Sequence, residues 1–593
     1  VTATDHEYKY DGRDPEGSFL KDEVPHTEEH VIRSVSMDGR TLILSAGLKY
    51  AHRGGDDSAE LRGEVANLTR NVIVESTDPN GVRGHTMFHK GGAAIVGYTE
   101  IRHLGKRGLL GRYPLHYHLA KDTMRGSELK GNAIWGSENR WVVIHGSEYI
   151  VIRDNVAYKA LGHGYFLEDG SEVYNLFWGN LGVQALMTDP IEGQALEYDT
   201  NDGACYWAAN ARNFVINNVF AECDNNDSFT LDYPRDGEDL EVKTLLADGS
   251  RKTIAVNRIA GGMIKGLEVH SHHGWGPWIR GGDFPEHDPL RLEDVKVWDV
   301  HYSIDISGAN VVVDRVKVFD SSYGFYNLYP GPHAVRNAYM ENVTPHGAFM
   351  TYLGGHGTMV YENLTLKSTE LVFRMTAKEE EGEAGRPIII HARNFKVLDP
   401  VFPTSSGMAQ THWIGTEDDN VRGDPLLMLV MHDMFGHNRD AVILPQKQSS
   451  REHGVPEGLN FLSGHDVKDK RGIGFSGRGD MKVAQASVDW PVSPLLRYPV
   501  DRNPPATVIL RPQAGEQIQA RDGSVRVSGV VLEQSVGRVT VNGETATLDP
   551  DGIGWWVTLR NVPAGPFILS AVAADRYGNK ELIPHTLKVT VLH

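Results

Sequence analysis

A short pattern recurs along this chain at intervals of twenty-odd residues. Each copy has an apolar-x-apolar run, a turn built on Asn, Asp or Gly, and a second apolar-x-apolar run, as in YIVIRDNVAY, YNLFWGNLGV, NFVINNVFAE and LRLEDVKVWD. Such a copy predicts two short strands joined by a sharp corner, and self-similarity at this period is typical of a solenoid. We therefore predict an all-β chain whose main part is a right-handed parallel β-helix.

Asparagine occupies the corner in many of these copies. Its side chain hydrogen-bonds nearby main chain, and the residue tolerates the left-handed backbone conformation that a sharp corner needs. Corners that stack on one another predict two internal ladders, the first of Asn155, Asn180 and Asn218 and the second of Asn342, Asn363 and Asn394.

The repeat also divides the 593-residue chain into regions. A β-rich cap region is expected at 1–80, because the first coil of a solenoid otherwise exposes its core and an unpaired edge. The β-helix is predicted at 81–480 and a Pro-rich linker at 481–505. Alternating segments about ten residues apart then predict an immunoglobulin-like β-sandwich at 506–593.

The charge and the composition of the chain exclude some classes of binding partner. A net charge of −19 argues against a nucleic acid or an anionic membrane surface as the main partner. No window is apolar for long enough to predict a membrane span. The first residues lack a basic-then-apolar leader, so we expect any signal peptide to be absent or removed. Cys205 and Cys223 lie about one coil apart, which is compatible with one disulfide or with two buried thiols.

The stretch from Gly111 to Gly170 is rich in histidine and ends in an acid pair. Aligning the corner Asn155 with Asn180 brings His145 to about the level of Asp169, with His116 or His118 at about the same level one segment earlier. Imidazole and carboxylate are the ligand types that divalent transition metals prefer. We predict a divalent metal ion (Zn, Mn, Fe or Ca) and no organic cofactor, with the ligands His116, His118, His145, His163 and Asp169. The alternative is a set of polar rungs without a ligand.

The same residues suit the cleavage of a polysaccharide. A glycosidase needs a carboxylic acid and a second carboxylate, whereas a lyase needs a base and a cation that neutralises a uronate. Flat aromatic rings offer apolar platforms to sugars, and arginines pair with acidic sugars. The predicted catalytic residues are His118, His145, Glu168, Asp169 and Arg280, and the predicted substrate contacts are Arg112, Tyr117, Arg140, Trp275, Trp278 and Asp283.

Four segments carry a family resemblance: GRYPLHYHLAKD, the stretch 141–170, CYWAANARNFVINN and GWGPWIRGGD. They resemble the corresponding parts of the cell migration-inducing hyaluronan-binding protein and transmembrane protein 2 family, and more distantly the fibrocystin-like proteins. The resemblance implies a parallel β-helix preceded by a glycine-rich β domain, an extracellular setting, and action on a glycosaminoglycan.

Three features depart from that family. The N-terminal part is too short for the whole glycine-rich domain, the C-terminal sandwich is similar to modules of bacterial secreted carbohydrate enzymes, and the acidity suits hyaluronan poorly. We expect a secreted or periplasmic polysaccharide-degrading enzyme of bacterial type, hyaluronidase-like, with hydrolysis preferred because the family is hydrolytic. The alternatives are a polysaccharide lyase and a non-catalytic glycan-binding or adhesion module. The sequence does not indicate an oligomeric state.

Overall fold

The protein is described by a computed structural model that covers residues 1–5, 25–55, 61–224, 227–234, 240–327, 331–343, 347–351, 356–369, 373–375, 388–399, 412–414, 427–445, 461–462, 467–468, 474–475, 481–493, 495 and 501–593. Strands dominate these residues, and the helical turns among them are the 3₁₀ turns Asp122–Met124 and Val256–Arg258. The predicted all-β class is confirmed. Within the described ranges, no helix has the length and apolar character needed to cross a membrane.

Three parallel ladders run side by side and form the predicted β-helix, which is confirmed. Sheet A contains Leu115–Lys121, Val142–Ser147, Tyr165–Leu167, Tyr206–Ala208, Asp227–Asp232, Glu268–Arg280, Lys296–Ile306, Tyr323–Asn327, Gly347–Thr351, Phe373–Met375 and His412–Ile414. Sheet B contains Ile95–Gly97, Glu128–Lys130, Val151–Arg153, Leu176–Trp178, Phe214–Ile216, Met263–Lys265, Leu290–Glu293, Val311–Asp314, His333–Arg336, Gly357–Lys367, Ile388–Leu398 and Leu427–Gly436.

Sheet C closes the third side. It contains Val72–Glu75, Thr99–Arg102, Ala133–Trp135, Val156–Leu161, Leu181–Leu186, Val219–Ala221, Lys317–Phe319 and Tyr339–Glu341, together with parts of the longer strands of sheets A and B. The ladder of sheet C thus begins at Val72–Glu75, and the domain boundaries of the sequence analysis stay predictions.

Alternation along each strand of sheet A decides which side chains reach the outside. Leu115 and Tyr117 lie in the apolar interior of the β-helix. Because side chains alternate along a strand, His116 and His118 lie on its outer face. Tyr117 is fully buried in that interior. The predicted substrate contact by Tyr117 is therefore wrong, because its side chain faces the core and not the outer surface.

The first asparagine ladder is present as predicted. Asn180 Nδ2 donates to Asn218 Oδ1 and to Ile152 O, both at 2.9 Å. Asn180 Oδ1 accepts from the Asn155 backbone N–H at 3.1 Å and from Asn155 Nδ2 at 2.9 Å. Asn132 extends the ladder by one rung, since its Nδ2 donates to Asn155 Oδ1.

The second ladder differs from the prediction at Asn342. Asn394 donates to Asn363, and Asn363 donates to Asn337, each at 3.0 Å. Asn342 instead donates to Asp320 at 2.7 Å. Asn342 therefore belongs to a different corner of the coil, which the sequence pattern does not separate from the corner of Asn363.

Replacing Asn180 by alanine is expected to lower the free energy of unfolding by about 3 kcal/mol, because buried donors and acceptors on both sides lose their partners. Asn363→Ala is the matched control on an exposed rung. Its φ of 58° is tolerated less well by alanine, so a loss of about 1 kcal/mol is expected there. Urea denaturation of both variants measures the difference, and equal losses would contradict a stabilising role for the buried ladder.

Cys205 and Cys223 form a disulfide with a Cα–Cα distance of 5.7 Å. Cys205 precedes the strand Tyr206–Ala208 of sheet A, and Cys223 follows the strand Val219–Ala221 of sheet C. The choice that the sequence left open is therefore settled in favour of the bonded pair.

The C-terminal part contains two sheets that share one apolar core around the buried Trp555. The four-stranded sheet contains Ala506–Arg511, Val525–Leu532, Gly554–Leu559 and Thr547–Leu548, and the five-stranded sheet contains Gln517–Gln519, His585–Leu592, Gly565–Asp575, Val536–Val541 and Glu544–Thr545. The immunoglobulin-like assignment stays a prediction. This part packs on sheet B, where Val508 and Leu510 join an apolar cluster with Val151 and Leu176.

The remaining strands lie outside the three ladders or continue them in antiparallel fashion. Two are hairpins, Ile32–Val35 with Leu42–Leu44 and Glu241–Leu245 with Arg251–Ala255. The others are Arg439–Pro445, Phe461–Leu462, Val467–Lys468, Gly474–Phe475 and Met481–Ala486.

Candidate active site and metal centre

A row of polar side chains crosses three neighbouring strands on the outer face of sheet A. His118 is level with His145 in the parallel register. Leu167 is level with Ile144, so the next residue, Glu168, is level with His145. The row is therefore His118, His145 and Glu168.

This row corrects the prediction for Asp169, because Glu168 and not Asp169 is level with His145. Nine residues separate Val142 from Val151, whereas eleven separate their partners Tyr165 and Leu176. The corner after Glu168 is thus two residues longer. An alignment anchored on the asparagine corners of sheet B does not carry over to sheet A.

His116 completes a compact cluster with this row. One ring nitrogen from each of His116, His118 and His145 lies within 4.8 Å of the others. Glu168 Oε2 lies 3.4 Å from His145 Nδ1 and 3.6 Å from His116 Nε2. Asp169 Oδ2 lies 3.4 Å from His145 Nε2, at the more exposed edge of the cluster.

Four buried atoms of this cluster have no hydrogen-bond partner among the residues that the structure describes. They are both ring nitrogens of His116, Nδ1 of His118 and Oε2 of Glu168. Buried polar atoms are nearly always paired, so a concentration of unpaired ones indicates a missing partner. Three imidazoles with an open position are the donor set of a catalytic zinc site, and they suit calcium poorly because calcium takes oxygen ligands. The residues present therefore fit a transition-metal ion.

The protonation states of His116 and His118 agree with that fit, whereas the pKa of His145 is raised, because a hydrogen bond to Asp169 and the charges of Glu168 and Asp169 outweigh its burial. Burial, with the nearby His118 and His145, lowers the pKa of His116 to about 3, so its imidazole is neutral. Burial also lowers the pKa of His118, again with a contribution from His145. Neutral imidazole is the form that binds metals.

The two neighbouring acids have pKa values that move apart. Burial raises the pKa of Glu168, although His145 and Arg140 oppose the shift. Burial also acts on Asp169, but hydrogen bonds with His145 and with Glu172 outweigh it and hold the pKa of Asp169 below its usual range. Adjacent acids with opposed shifts are a recurring way to divide proton-donor and charged roles between two carboxyl groups.

Buried polar side chains linked to Oε1 of Glu168 hold its carboxyl group in place. Tyr113 Oη donates to Glu168 Oε1 at 3.1 Å, and Arg140 Nη1 donates to Tyr113 Oη at 3.2 Å. Arg140 Nη2 also donates to Asp199 Oδ2 at 3.3 Å. The predicted contact of Arg140 with substrate is therefore wrong, because its side chain is fully buried in this network.

His163 does not join the metal cluster, which corrects its prediction as a ligand. Its Nε2 is hydrogen-bonded to Asp199 Oδ1 at 2.8 Å, and its Nδ1 accepts the backbone N–H of Ala204 at 3.1 Å. Both ring nitrogens are thus engaged. Asp199 belongs to the long insertion after the strand Leu181–Leu186, and nothing in the spacing of the sequence indicates that it pairs with His163.

The predicted residues of the GWGPWIRGGD segment lie far from the cluster. Trp275, Trp278 and Arg280 are on the strand Glu268–Arg280, four strands beyond the strand of His145 in sheet A. At roughly 4.8 Å per strand the separation is about 19 Å. Arg280 therefore does not act at the same place as the histidines, and the exposed Asp283 follows beyond it.

Arg112 lies closer, in an exposed turn beside the cluster. Together with Lys106 it contributes to the lowered pKa of His85, although burial is the larger cause. This places two cations near His85. Arg112 and Lys106 thus supply two cations on this side of the site.

Two residues near the cluster were missed. Phe88 is level with Tyr117, which brings the exposed His89 beside His118 at a ring-centroid distance of 5.3 Å. Glu172 Oε1 accepts the backbone N–H groups of Gly146 and Asp169 and thereby fixes the corner that carries Asp169. His89 follows the single-residue bridge of Phe88 and lies outside the strands, so the repeat pattern did not reveal it.

Comparison with known proteins supports the fold that carries the cluster. Residues 81–274 match the protein-family model of the CEMIP beta-helix, a span that contains the whole cluster. This part of the chain is similar to the CEMIP beta-helix. The family resemblance noted in the sequence is thereby confirmed.

The chain is similar to proteins from several eukaryotes. It matches a G8 domain-containing protein of Dictyostelium discoideum at 33% identity over 219 residues, human fibrocystin-L at 28% over 313 residues, and human cell surface hyaluronidase CEMIP2 at 29% over 210 residues. These matches cover 34%, 44% and 28% of this chain, and 14%, 7% and 15% of the respective relatives. The chain thus spans only a small part of the relatives' length.

Proposed function

We propose that this chain hydrolyses a glycosaminoglycan or a related acidic or amino-sugar glycan at the outer face of sheet A, with the help of a bound transition metal. The observation that carries the proposal is the convergence of His116, His118, His145 and Glu168 with four unpartnered buried atoms. A relative named cell surface hyaluronidase supports the glycan class. The cations Arg112 and Lys106 can pair with the acidic groups of a glycan that binds at that edge of the site.

The residues of the cluster have distinct roles in this proposal. His116, His118 and His145 hold the metal, which supplies polarisation of a sugar oxygen or acidification of a water. Glu168, whose raised pKa favours the protonated form, donates a proton to the leaving oxygen. Asp169 keeps its charge and orients His145. Tyr113 and Arg140 fix the carboxyl group of Glu168 from behind.

We also place this activity outside the cytoplasm. The disulfide between Cys205 and Cys223 favours an oxidising compartment, because disulfides persist in secreted, periplasmic and cell-surface proteins. The human relative is named a cell surface hyaluronidase, which agrees with such a setting.

Removal of the metal is expected to stop cleavage. Protein dialysed against a strong chelator should release fewer reducing ends from hyaluronan by at least about 100-fold, since a metal that polarises the reacting group supplies several kcal/mol of barrier lowering. Readdition of zinc, manganese or iron to separate samples should restore the rate with one of them. Calcium is the control and should not restore it.

The products of the same assay separate the alternatives. Reducing ends without ultraviolet absorbance indicate hydrolysis, whereas an unsaturated-uronate absorbance would replace the proposal by a lyase reaction. If a panel of hyaluronan, chondroitin and heparosan gives neither product while one of them is retarded on a native gel, the chain is a glycan-binding module and the catalytic proposal is wrong.

A further inference from the structure

Four further buried polar atoms lack hydrogen-bond partners on the outer face of sheet A, three and four strands beyond His145. They are Thr230 Oγ1, Asp232 Oδ1 and the indole Nε1 atoms of Trp275 and Trp278. These side chains belong to residues that are 0%, 2%, 9% and 5% exposed. A buried polar atom without a hydrogen-bond partner is rare in a native structure and needs an explanation. Four such atoms on two adjacent strands indicate that one bound molecule pairs with all of them.

The four residues are direct neighbours. Thr230 is level with Trp278, and Asp232 is level with Arg280. The rings of Trp275 and Trp278 are stacked at a centroid distance of 4.4 Å. With strands about 4.8 Å apart and alternate residues about 6.6 Å apart along a strand, the backbone positions of Thr230, Asp232 and Trp278 span about one monosaccharide.

The indole rings do not present open faces. Trp275 stacks on Tyr302 at 4.4 Å as well as on Trp278, and the guanidinium carbon of Arg280 lies 4.3 Å from the ring centre of Trp278. The expectation that these rings form flat platforms for sugars is therefore wrong. Their unsatisfied groups are the N–H edges, which donate hydrogen bonds.

These hydrogen-bond donors and acceptors indicate which chemical group of a ligand would pair with them. Two indole N–H groups donate, the Asp232 carboxyl oxygen Oδ1 accepts, and the threonine hydroxyl does either. An acetamido group offers a carbonyl oxygen that accepts and an N–H that donates, and sugar hydroxyls do both. We infer that Thr230, Asp232, Trp275 and Trp278 form a subsite that binds the acetamido group of an N-acetylated amino sugar.

The subsite deepens the proposed function, because it would hold the same glycan about 14–19 Å from the histidine cluster, on the same face of sheet A. Indole N–H groups donate to the acetamido oxygen, and Asp232 Oδ1 accepts the acetamido N–H. Binding here requires neither the metal nor Glu168. The subsite is therefore testable independently of cleavage.

Isothermal titration of the full chain with chitotetraose and with cellotetraose tests this inference. These oligosaccharides share a β-1,4-linked glucose backbone and differ in the acetamido groups. The parent protein is expected to bind chitotetraose at least about tenfold more tightly. Thr230→Val and Trp278→Phe should each weaken chitotetraose binding about tenfold, since each removes one hydrogen-bonding group.

Trp555→Phe is the matched control. Trp555 also has a buried indole N–H without a partner, but it lies in the core of the C-terminal sheets. Its replacement should leave binding unchanged. Equal affinity for the two oligosaccharides, unchanged binding in Thr230→Val and Trp278→Phe, or no binding by the parent would each overturn the subsite, and ordered water would then account for the four atoms.

The His118→Ala protein separates this inference from the proposed function. Unchanged affinity for chitotetraose together with lost cleavage supports both. If the parent protein cleaves no glycan but shows the expected affinities and variant effects, the subsite stands and the hydrolytic proposal fails. Loss of chitotetraose binding in His118→Ala would overturn the subsite as an independent site.

Discussion

The His118→Ala protein is expected to keep its fold, lose its bound metal and cleave glycan at least about 100-fold more slowly. The fold should survive because His118 is only partly buried and its Nδ1 makes no hydrogen bond that the substitution would remove. Metal binding should fail because two imidazoles remain where three protein ligands are usual for a catalytic site. Elemental analysis of the purified protein and a reducing-end assay measure the two effects.

His163→Asn is the control for this result. The sequence places His163 among the ligands, whereas the structure hydrogen-bonds both of its ring nitrogens to Asp199 and Ala204. This variant should lose thermal stability but retain about one equivalent of metal. The assignment of the cluster would be refuted if His163→Asn lost the metal and His118→Ala kept it.

The repeating coil could be predicted from the sequence because each of its corners needs a side chain that hydrogen-bonds the main chain. Asn155, Asn180 and Asn218 each satisfy main-chain groups of the neighbouring rung, so the same residue recurs at the same place. Alternating apolar residues then identify the interior of each strand. The fold could therefore be recognised without knowing how any two distant segments pack.

The exact site was less predictable because it depends on corner lengths that differ from sheet to sheet. Two extra residues between Tyr165 and Leu176 move Glu168, not Asp169, level with His145. A change of one residue reverses which side of a strand a side chain faces. Three of the five predicted ligands, His116, His118 and His145, are nevertheless brought together, since they lie on short strands with no insertion inside them.

Contacts made by insertions were beyond the reach of sequence spacing. Asp199 reaches His163 and Arg140 from a long insertion, and it converts both from predicted site residues into supports. The stack of Trp275 on Trp278 and Tyr302 likewise joins residues from two strands. Contacts between side chains of different strands do not recur at a fixed spacing, so a single sequence does not reveal them.

The C-terminal sheets are fastened to the β-helix by a buried ion pair as well as by apolar packing. Arg125 Nη2 donates to Glu581 Oε1 at 2.7 Å, and the two side chains are 9% and 2% exposed. Arg125 Nε donates to Thr507 O at 2.9 Å, and its guanidinium lies 4.3 Å from the ring centre of Tyr149. Arg125 thus joins the corner after Leu115–Lys121, close to the candidate site, to two segments of the C-terminal part.

Replacing Arg125 by alanine is expected to lower the free energy of unfolding by about 3–5 kcal/mol at neutral pH, because Glu581 remains as a buried charge without a counter-ion. Arg511→Ala is the matched control. Arg511 pairs with Glu128 across the same interface, but it is 48% exposed and Glu128 also pairs with Arg153. A loss of about 0–1 kcal/mol is expected for that variant.

The loss in Arg125→Ala should also depend on pH. Burial already raises the pKa of Glu581, and Arg125 opposes that shift. Without Arg125 the folded-state pKa rises further above the unfolded value. An acid with such a raised pKa destabilises the fold once it ionises, so the loss should be smaller at pH 5 than at pH 8. Urea denaturation at both pH values measures it, and a loss that did not change with pH would show that packing on Tyr149, rather than charge, is what Arg125 contributes.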